Sequence, residues 1–479
     1  MSFSHTVGIV FFMLTGLGTN HGYASTRMVE APRFIYEIFT QSFADSNGDG
    51  IGDLEGIRSK LDYISSLGAD AIWLTPIFES PSYHGYDVTD YFRIKSVYGN
   101  LSNFHDLIFS AHAKGIKVLL DLPVNHTSNH CAWFSDKNDY LWSKTKSFLP
   151  AQWFPFQGDY YFSSFSPSMP DLNWKNPDVL TKIEGVFDYW TAQGVDGFRL
   201  DAAKFLIKGP NGEQNQPETH QIWQKIAEHL GSTSFLIGEI WDNAAHIAGF
   251  YGHGYELDAA FDFPVEASIR SSLEAHDSKD FVASLTEKLR TYTQPNFATP
   301  FLGNHDLDRL ASILRQDVLS EKLAALILFT LPGTPTLYYG DETGTLNGSQ
   351  FLYPGDLAKR TPMNWKQVET QQKDRTSLLA SYQALSSLRK RSQALTRGTL
   401  SDVQNIGALA ASFVREDRAT GQKMLIVLNF GLTEMPITQV NVLALRPSAL
   451  YGHANILVSG NSTVTVSKLG PKQGVIFSL

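Results

Sequence analysis

Cysteine is almost absent: Cys131 is the single one in 479 residues, so no internal disulfide can hold the fold and thiols say nothing of the compartment. Positive charge is in deficit. Against 48 Asp and Glu stand 39 Lys and Arg, and the resulting net charge of -9 argues against a nucleic-acid partner and against an anionic membrane surface. The N-terminal apolar run, Val7 to Leu17, is too short to span a bilayer. It has the length of a signal-peptide core, and Gly22-Tyr-Ala24 supplies small residues for cleavage, although the segment before it carries His5 and no Lys or Arg. Residues 1–24 are therefore expected to be a signal peptide directing the chain to the periplasm or the medium, with an unpacked N-terminal tail as the alternative. Internal repeats and low-complexity segments are also missing.

What is plentiful is apolar and aromatic. A hydrophobic share of 43% over this length supports large cores and two or three domains. With 31 Phe, 19 Tyr and 9 Trp, most aromatics belong in the core, but the stock also provides stacking platforms for the faces of an uncharged ligand such as a sugar.

From residue 33 to about 340, short β-branched or aromatic runs alternate with helical patterns, the signature of βαβ units and a parallel sheet. Strand candidates begin near Phe34, Ala71, Ile116, Val195, Ser234, Leu257, Ala298 and Thr334. Between them lie amphipathic helices. Leu54, Ile57, Leu61, Ile64 and Leu67 share one face; Val179, Ile183, Val186, Phe187 and Trp190 share another, opened by Asn176 as cap and Pro177 in the first turn. Eight such units predict an α/β fold, a TIM (β/α)8 barrel, whose active site lies at the carboxyl ends of its strands. A doubly wound open sheet is the alternative. About fifty residues after Asn125, rich in Trp, Phe, Ser, Pro and Asp, lack helical periodicity and read as an irregular domain inserted after the third strand. Past a helix around Leu378 to Leu388, short alternating strands (Ala408 to Arg415, Met424 to Asn429, Val475 to Leu479) mark a separate all-β domain. The expected division is signal peptide 1–24, barrel 25–127, inserted domain 128–176, barrel 177–395 and C-terminal β-sandwich 396–479.

The stretch Gly194-Val-Asp-Gly-Phe-Arg-Leu-Asp-Ala-Ala-Lys204 delivers Arg199 and Asp201 to the end of the fourth strand. Side chains alternate with period two, so both project to one side and the guanidinium can hold the carboxylate ionised and oriented. A nucleophilic carboxylate needs this; a structural ion pair would look the same. Three further strands end in polar groups: Asp121-Leu-Pro-Val-Asn125-His126, Gly238-Glu239-Ile-Trp, and Asn304-His305-Asp306. Polar groups at four strand ends facing one axis are improbable as structural pairs alone.

These four segments closely resemble, in order, the sequence regions of glycoside hydrolase family 13, the α-amylases, and Met169-Pro-Asp-Leu-Asn173 resembles a fifth. The Met-Pro-Asp-Leu-Asn form is similar to the subgroup intermediate between oligo-1,6-glucosidases and neopullulanases. The resemblance implies Asp201 as nucleophile, Glu239 as general acid then base, and Asp306 as a third carboxylate gripping sugar hydroxyls. It also implies that His126 and His305 bind ring hydroxyls, that Arg199 orients Asp201, and that Tyr86 in Tyr83-His84-Gly85-Tyr86-Asp87 stacks under the sugar, a packed loop Tyr being the alternative.

Asp45-Ser-Asn47-Gly-Asp49-Gly-Ile51-Gly-Asp53 offers oxygens at alternating positions around glycines, as calcium loops do, although Gly56 at the twelfth position excludes an EF-hand. The resemblance implies a structural Ca2+ bound by Asp45, Asn47, Asp49, the Ile51 carbonyl and Asp53; an Asx-rich turn is the alternative. The implied reaction is retaining hydrolysis of α-1,4 links in starch and maltooligosaccharides. Ala202, where α-1,6-cleaving relatives carry a branched residue, favours this reading. So does Lys204, similar to an amylase residue on the leaving-group side, unless it is a solvated helix-start lysine. Asp87 resembles a residue with which exo-acting α-glucosidases grip a chain end, and Lys359-Arg-Thr-Pro-Met363-Asn-Trp365 is similar to a segment of α-glucosidases and trehalose synthases. Exo-acting α-glucosidase or oligo-1,6-glucosidase, and trehalose-synthase-like transglycosylation, are the alternatives. A catalytically dead binding subunit is disfavoured by the intact carboxylates.

Overall fold

The computed structural model describes residues 29–479 except 147–148, 210–211, 295, 442–447, 453–455 and 460–462. The expected signal peptide, residues 1–24, lies outside the described residues. Eight parallel strands form one sheet: β1 (Ile35–Ile38), β2 (Ala71–Leu74), β3 (Lys117–Pro123), β4 (Gly197–Asp201), β5 (Phe235–Gly238), β6 (Ala259–Phe261), β7 (Ala298–Thr299) and β8 (Thr336–Tyr338). Each pairs with its sequence neighbour, and β1 also pairs with β8. A parallel bridge between Phe301 and Thr336, with the Thr336 amide donating to the Pro300 carbonyl at 2.9 Å, closes the circle. The sheet is a barrel and not an open doubly wound sheet.

The strands read as continuous apolar runs because both faces are covered, one by the barrel interior and one by helices. Ile35, Ala71, Trp73, Leu119, Phe235, Ile237, Ala259, Phe261 and Phe301 pack as an inner cluster. One period-two step toward the carboxyl end, the inward positions turn charged: Glu37 after Ile35, Asp121 after Leu119, Glu239 after Ile237. That switch separates a packed floor from a polar site. Gly197 begins β4 because a Cβ there would lie 2.3 Å from the Phe235 carbonyl oxygen.

Pro177–Ala192 forms the expected helix, with the Asn176 side chain accepting the Asp178 amide and all five expected residues buried. The other expected helix is two, Leu54–Ser59 and Leu61–Ser66, meeting at Lys60. The Lys60 amide bonds back to Ile57, three residues away, a tightened turn that breaks the axis while keeping the apolar face buried.

The inserted segment carries a small antiparallel sheet in the order Trp142–Ser143, Asp159–Phe162, Trp153–Phe156, so it is less irregular than expected. Bridges from His126 to Asp171 and from Tyr140 to Leu172 tie it over the end of β3. Beyond residue 398 a five-stranded and a three-stranded antiparallel sheet share an apolar layer, Val414, Leu425, Val427 and Val475 from one and Val466 and Leu469 from the other. Buried Arg415 joins this domain to the barrel, donating to the Thr330 and Gly398 carbonyls at 2.6 and 2.7 Å. Among the described residues no helix is long and apolar enough to cross a membrane.

Candidate active site

Arg199 is fully buried in the barrel and binds three carboxylates. Its Nη1 lies 2.7 Å from Asp121 Oδ1 and 2.8 Å from Asp201 Oδ1, and Nη2 lies 3.0 Å from Glu239 Oε2. The side chain sits over the Trp73 ring, which fixes the plane of the guanidinium. Asp121 is itself held through Oδ2 by Trp73 Nε1 at 3.0 Å and the Tyr86 hydroxyl at 2.9 Å. Burial pushes its carboxyl up to about 7 against the pull of Arg199.

Glu239 follows β5 directly, and its Oε2 accepts the Ala202 amide at 3.1 Å. That amide points there because Ala202 is left-handed, φ 48° and ψ 39°, a strained conformation for a residue with a Cβ. Burial raises the Asp201 and Glu239 carboxyls above the ordinary range; Arg199 draws both back, and on Glu239 the neighbouring Asp201 and Asp306 charges add to the rise. The two carboxyls on one guanidinium differ in their further partners: Glu239 alone accepts the Ala202 amide, which draws its carboxyl down, whereas Asp201 accepts a guanidinium hydrogen.

Across the site, Asp306 receives Arg360 Nη2 at 2.7 Å and lies 3.1 Å from His305 Nε2. Burial acts to raise its pKa, but His305, Arg360 and Arg199 outweigh it and hold the carboxylate well below the usual range. His305 is stacked on Tyr86 at 5.5 Å and contacts Glu37 through Nδ1 at 2.6 Å. Burial alone would depress this imidazole; the Asp306 and Glu37 carboxylates instead bring it to about 10. For His126, burial prevails and lowers the pKa to about 4, leaving a neutral ring whose buried Nε2 has no partner among the described residues.

Asp201, Glu239, Asp306, Tyr86 and His126 line one pocket of about 370 Å³ together with Ala202, Arg360, Tyr83 and Asp356. Its mouth is aromatic, with Phe165 and Trp241 each about half exposed and Trp241 backed by Phe263 at 4.9 Å. Arg199 and His305 sit beneath this lining.

Other expected residues lie elsewhere. Lys204 is neither solvated nor among the pocket-lining residues: it is buried, and its ammonium donates to the Trp241 carbonyl at 2.6 Å and Asp242 at 3.1 Å. Asp87 is also buried outside the lining, its Oδ1 accepting the Ser80 hydroxyl at 2.6 Å and that of Ser82. Arg360 and Glu37 were not among the expected site residues. The Lys359-Arg-Thr-Pro run, whose resemblance gave Arg360 no role, and a lone acidic residue in the apolar Ile-Tyr-Glu-Ile strand were the signals available.

The loop Asp45 to Asp53 follows β1. Asp45 accepts the amides of Asn47, Gly48 and Gly50 at 2.7 to 3.0 Å; Asn47 accepts from Asp49, and Asp49 from Ile51. Asp53 caps the helix at Leu54 through Gly56 and receives Ser46 on its other oxygen. Among the described residues no three His, Cys, Asp or Glu side chains are gathered as a metal cage. The donors are nonetheless all oxygens: Asp45 Oδ2, Asn47 Oδ1 and Asp49 Oδ1 each accept a single amide and keep a further lone pair, which suits a hard cation, whereas Asp45 Oδ1 already takes two amides.

Comparison with known proteins agrees with this architecture. Residues 37–398 match the family model "Alpha amylase, catalytic domain". The chain is 34% identical to alpha-amylase 3 of Dictyoglomus thermophilum over 90% of each protein, and 33% identical to a 4-alpha-glucanotransferase of Thermotoga neapolitana over 76% of this chain and 88% of that one. Among solved structures, the alpha-amylase from H. orenii superposes with a TM-score of 0.83 at 32% identity, covering 94% of this chain and 99% of that one. With its barrel, its strand-end carboxylates and these relatives, the chain belongs to the α-amylase family of glycoside hydrolases, family 13.

Proposed function

We propose that this enzyme hydrolyses α-1,4-glucosidic links in starch and maltooligosaccharides, cutting inside the chain with retention of anomeric configuration. The observation that carries the reading is the shared guanidinium: Asp201 and Glu239 lie on adjacent nitrogens of Arg199 at the floor of the pocket. This supports the short carboxyl separation of retaining glycosidases, about 5 to 5.5 Å, over the wider gap that admits a water in inverting ones. Asp201 attacks the anomeric carbon to form a glycosyl ester while Glu239 protonates the departing oxygen. Glu239 then takes a proton from water, which displaces Asp201. Asp306, steadied from beneath by His305, grips ring hydroxyls, neutral His126 offers Nε2 to another, and Tyr86 supports the sugar face.

Endo action is favoured by the small Ala202 in the lining and by the inward tie of Asp87 to Ser80 and Ser82, which leaves it no grip on a chain end. Lys204 acts through the Trp241 segment it braces. The loop Asp45 to Asp53 holds Ca2+ for stability and takes no part in the chemistry. Soluble starch should lose its iodine colour well before much reducing sugar accumulates, and isomaltose should stay uncut. Glucose as the sole early product would make the enzyme an exo-glucosidase. Trehalose or longer oligomers formed from maltose would make it a transferase, an activity borne by the name of one relative.

A further inference from the structure

Glu37 is the only charged residue of β1 and is fully buried. Its Oε1 accepts from both the backbone amide of His305 at 3.2 Å and the ring Nδ1 at 2.6 Å, while Oε2 has no partner among the described residues. At the other ring nitrogen, His305 Nε2 meets the Tyr86 hydroxyl at 2.6 Å and Asp306 Oδ2 at 3.1 Å. The hydrogens can be counted. Tyr86 has one, and Asp121 Oδ2, 2.9 Å away, is its carboxylate acceptor. The Tyr86 oxygen is then an acceptor toward His305, as is Asp306, so Nε2 must carry a hydrogen, and Nδ1 needs another to reach Glu37.

We propose that Glu37 is a positioning residue that keeps His305 doubly protonated, so that Nε2 always presents an N–H to Asp306, the pocket-lining carboxylate that meets the substrate. The charged groups around the imidazole agree: carboxylates come from β1 (Glu37), the end of β3 (Asp121), β4 (Asp201) and its own loop (Asp306), against the cations Arg199 and Arg360. The rings of Phe39, Trp73 and Tyr86 enclose it without competing for its protons. Glu37 touches no substrate atom and acts through His305. The catalytic consequence rests on the glucosidase reading of the pocket; the protonation state does not.

The experiment therefore has two readouts. In protein labelled with 15N at its imidazoles, with His305→Gln to assign the signal, His305 should be doubly protonated at pH 8, and in Glu37→Gln its titration should move into the neutral range. On soluble starch, the loss of kcat/KM in Glu37→Gln should grow with pH, at least about tenfold larger at pH 8 than at pH 5. A neutral His305 in the unmodified enzyme at pH 8 overturns the proposal, and that measurement needs no variant to fold. So does a loss in folded Glu37→Gln that is equal at every pH, the mark of a purely structural role. Protonated His305 in an enzyme that leaves starch untouched would instead discard the substrate reading and keep this one.

Discussion

Asp201 and Glu239 share a guanidinium, yet the proposed reaction has them begin in opposite protonation states. Asp201→Asn keeps the shape and removes the nucleophile, so kcat on starch should fall on the order of 10⁴-fold with melting temperature and circular dichroism little changed. Near-normal turnover in the folded variant would end the assignment. The sign of the pH dependence follows from the raised carboxyls. In the proposed mechanism activity requires Asp201 ionised and should be lost as pH falls through its pKa; it requires Glu239 protonated and should be lost as pH rises through its own. On an aryl maltoside whose leaving group needs no proton, Glu239→Gln should therefore lack the alkaline limb of kcat/KM, and persistence of that limb would assign it to another group. At this scale the strand-end residues were legible because each sits beside its partner by period-two alternation or in a compact motif. Arg360 and Glu37 were not: their partners lie 54 and 268 residues away, and no local spacing marks them. Lys204 was expected to meet the substrate, with a solvated lysine as the alternative, and neither could foresee its burial, which depends on the Trp241 segment folding back over it.

The inserted segment shows what patterns reveal of an element and what they miss. Its length and aromatic content announced a separate unit. Its strands have only two to four residues, too few for periodicity to register, and its anchor is a buried ion pair made across the sequence. Lys208 Nζ lies 2.6 Å from Asp171 Oδ2 and also reaches Asn125 Oδ1, so one ammonium joins the end of β3, the loop after β4 and the inserted segment. Lys208→Ala would leave Asp171 buried without its cation, at a cost of about 3 to 5 kcal/mol. Limited trypsin digestion should then cut within residues 128–176 while the barrel fragments persist, and KM should rise more than kcat falls. Cleavage no faster than in the unmodified enzyme would show that the aromatic packing around Phe134 suffices to hold the segment.

For the whole molecule the barrel was legible because all eight strands are buried on both faces and announce themselves as apolar runs. Its closure rests on a single bridge beside β7, which no pattern encodes. Calcium also belongs to this scale. A ligand held only by the folded chain stabilises it by about 2.7 kcal/mol at a hundredfold excess over Kd, so chelation should lower the melting temperature by several degrees and added calcium should restore it. Metal-free protein, verified by elemental analysis, that melts unchanged would assign the loop to Asx-turn geometry alone.

The meeting of β1 with β8 sets a time as well as a place. Glu37 leaves the ribosome early, whereas His305, Asp306 and Arg360 follow some 270 to 320 residues later, and Arg360 lies beyond the last barrel strand. During synthesis the amino-terminal half of the site waits unpaired until the final strand arrives. A nascent chain released before residue 360 should thus be inert however well its earlier units have folded, and the first turnover would report that the barrel has shut.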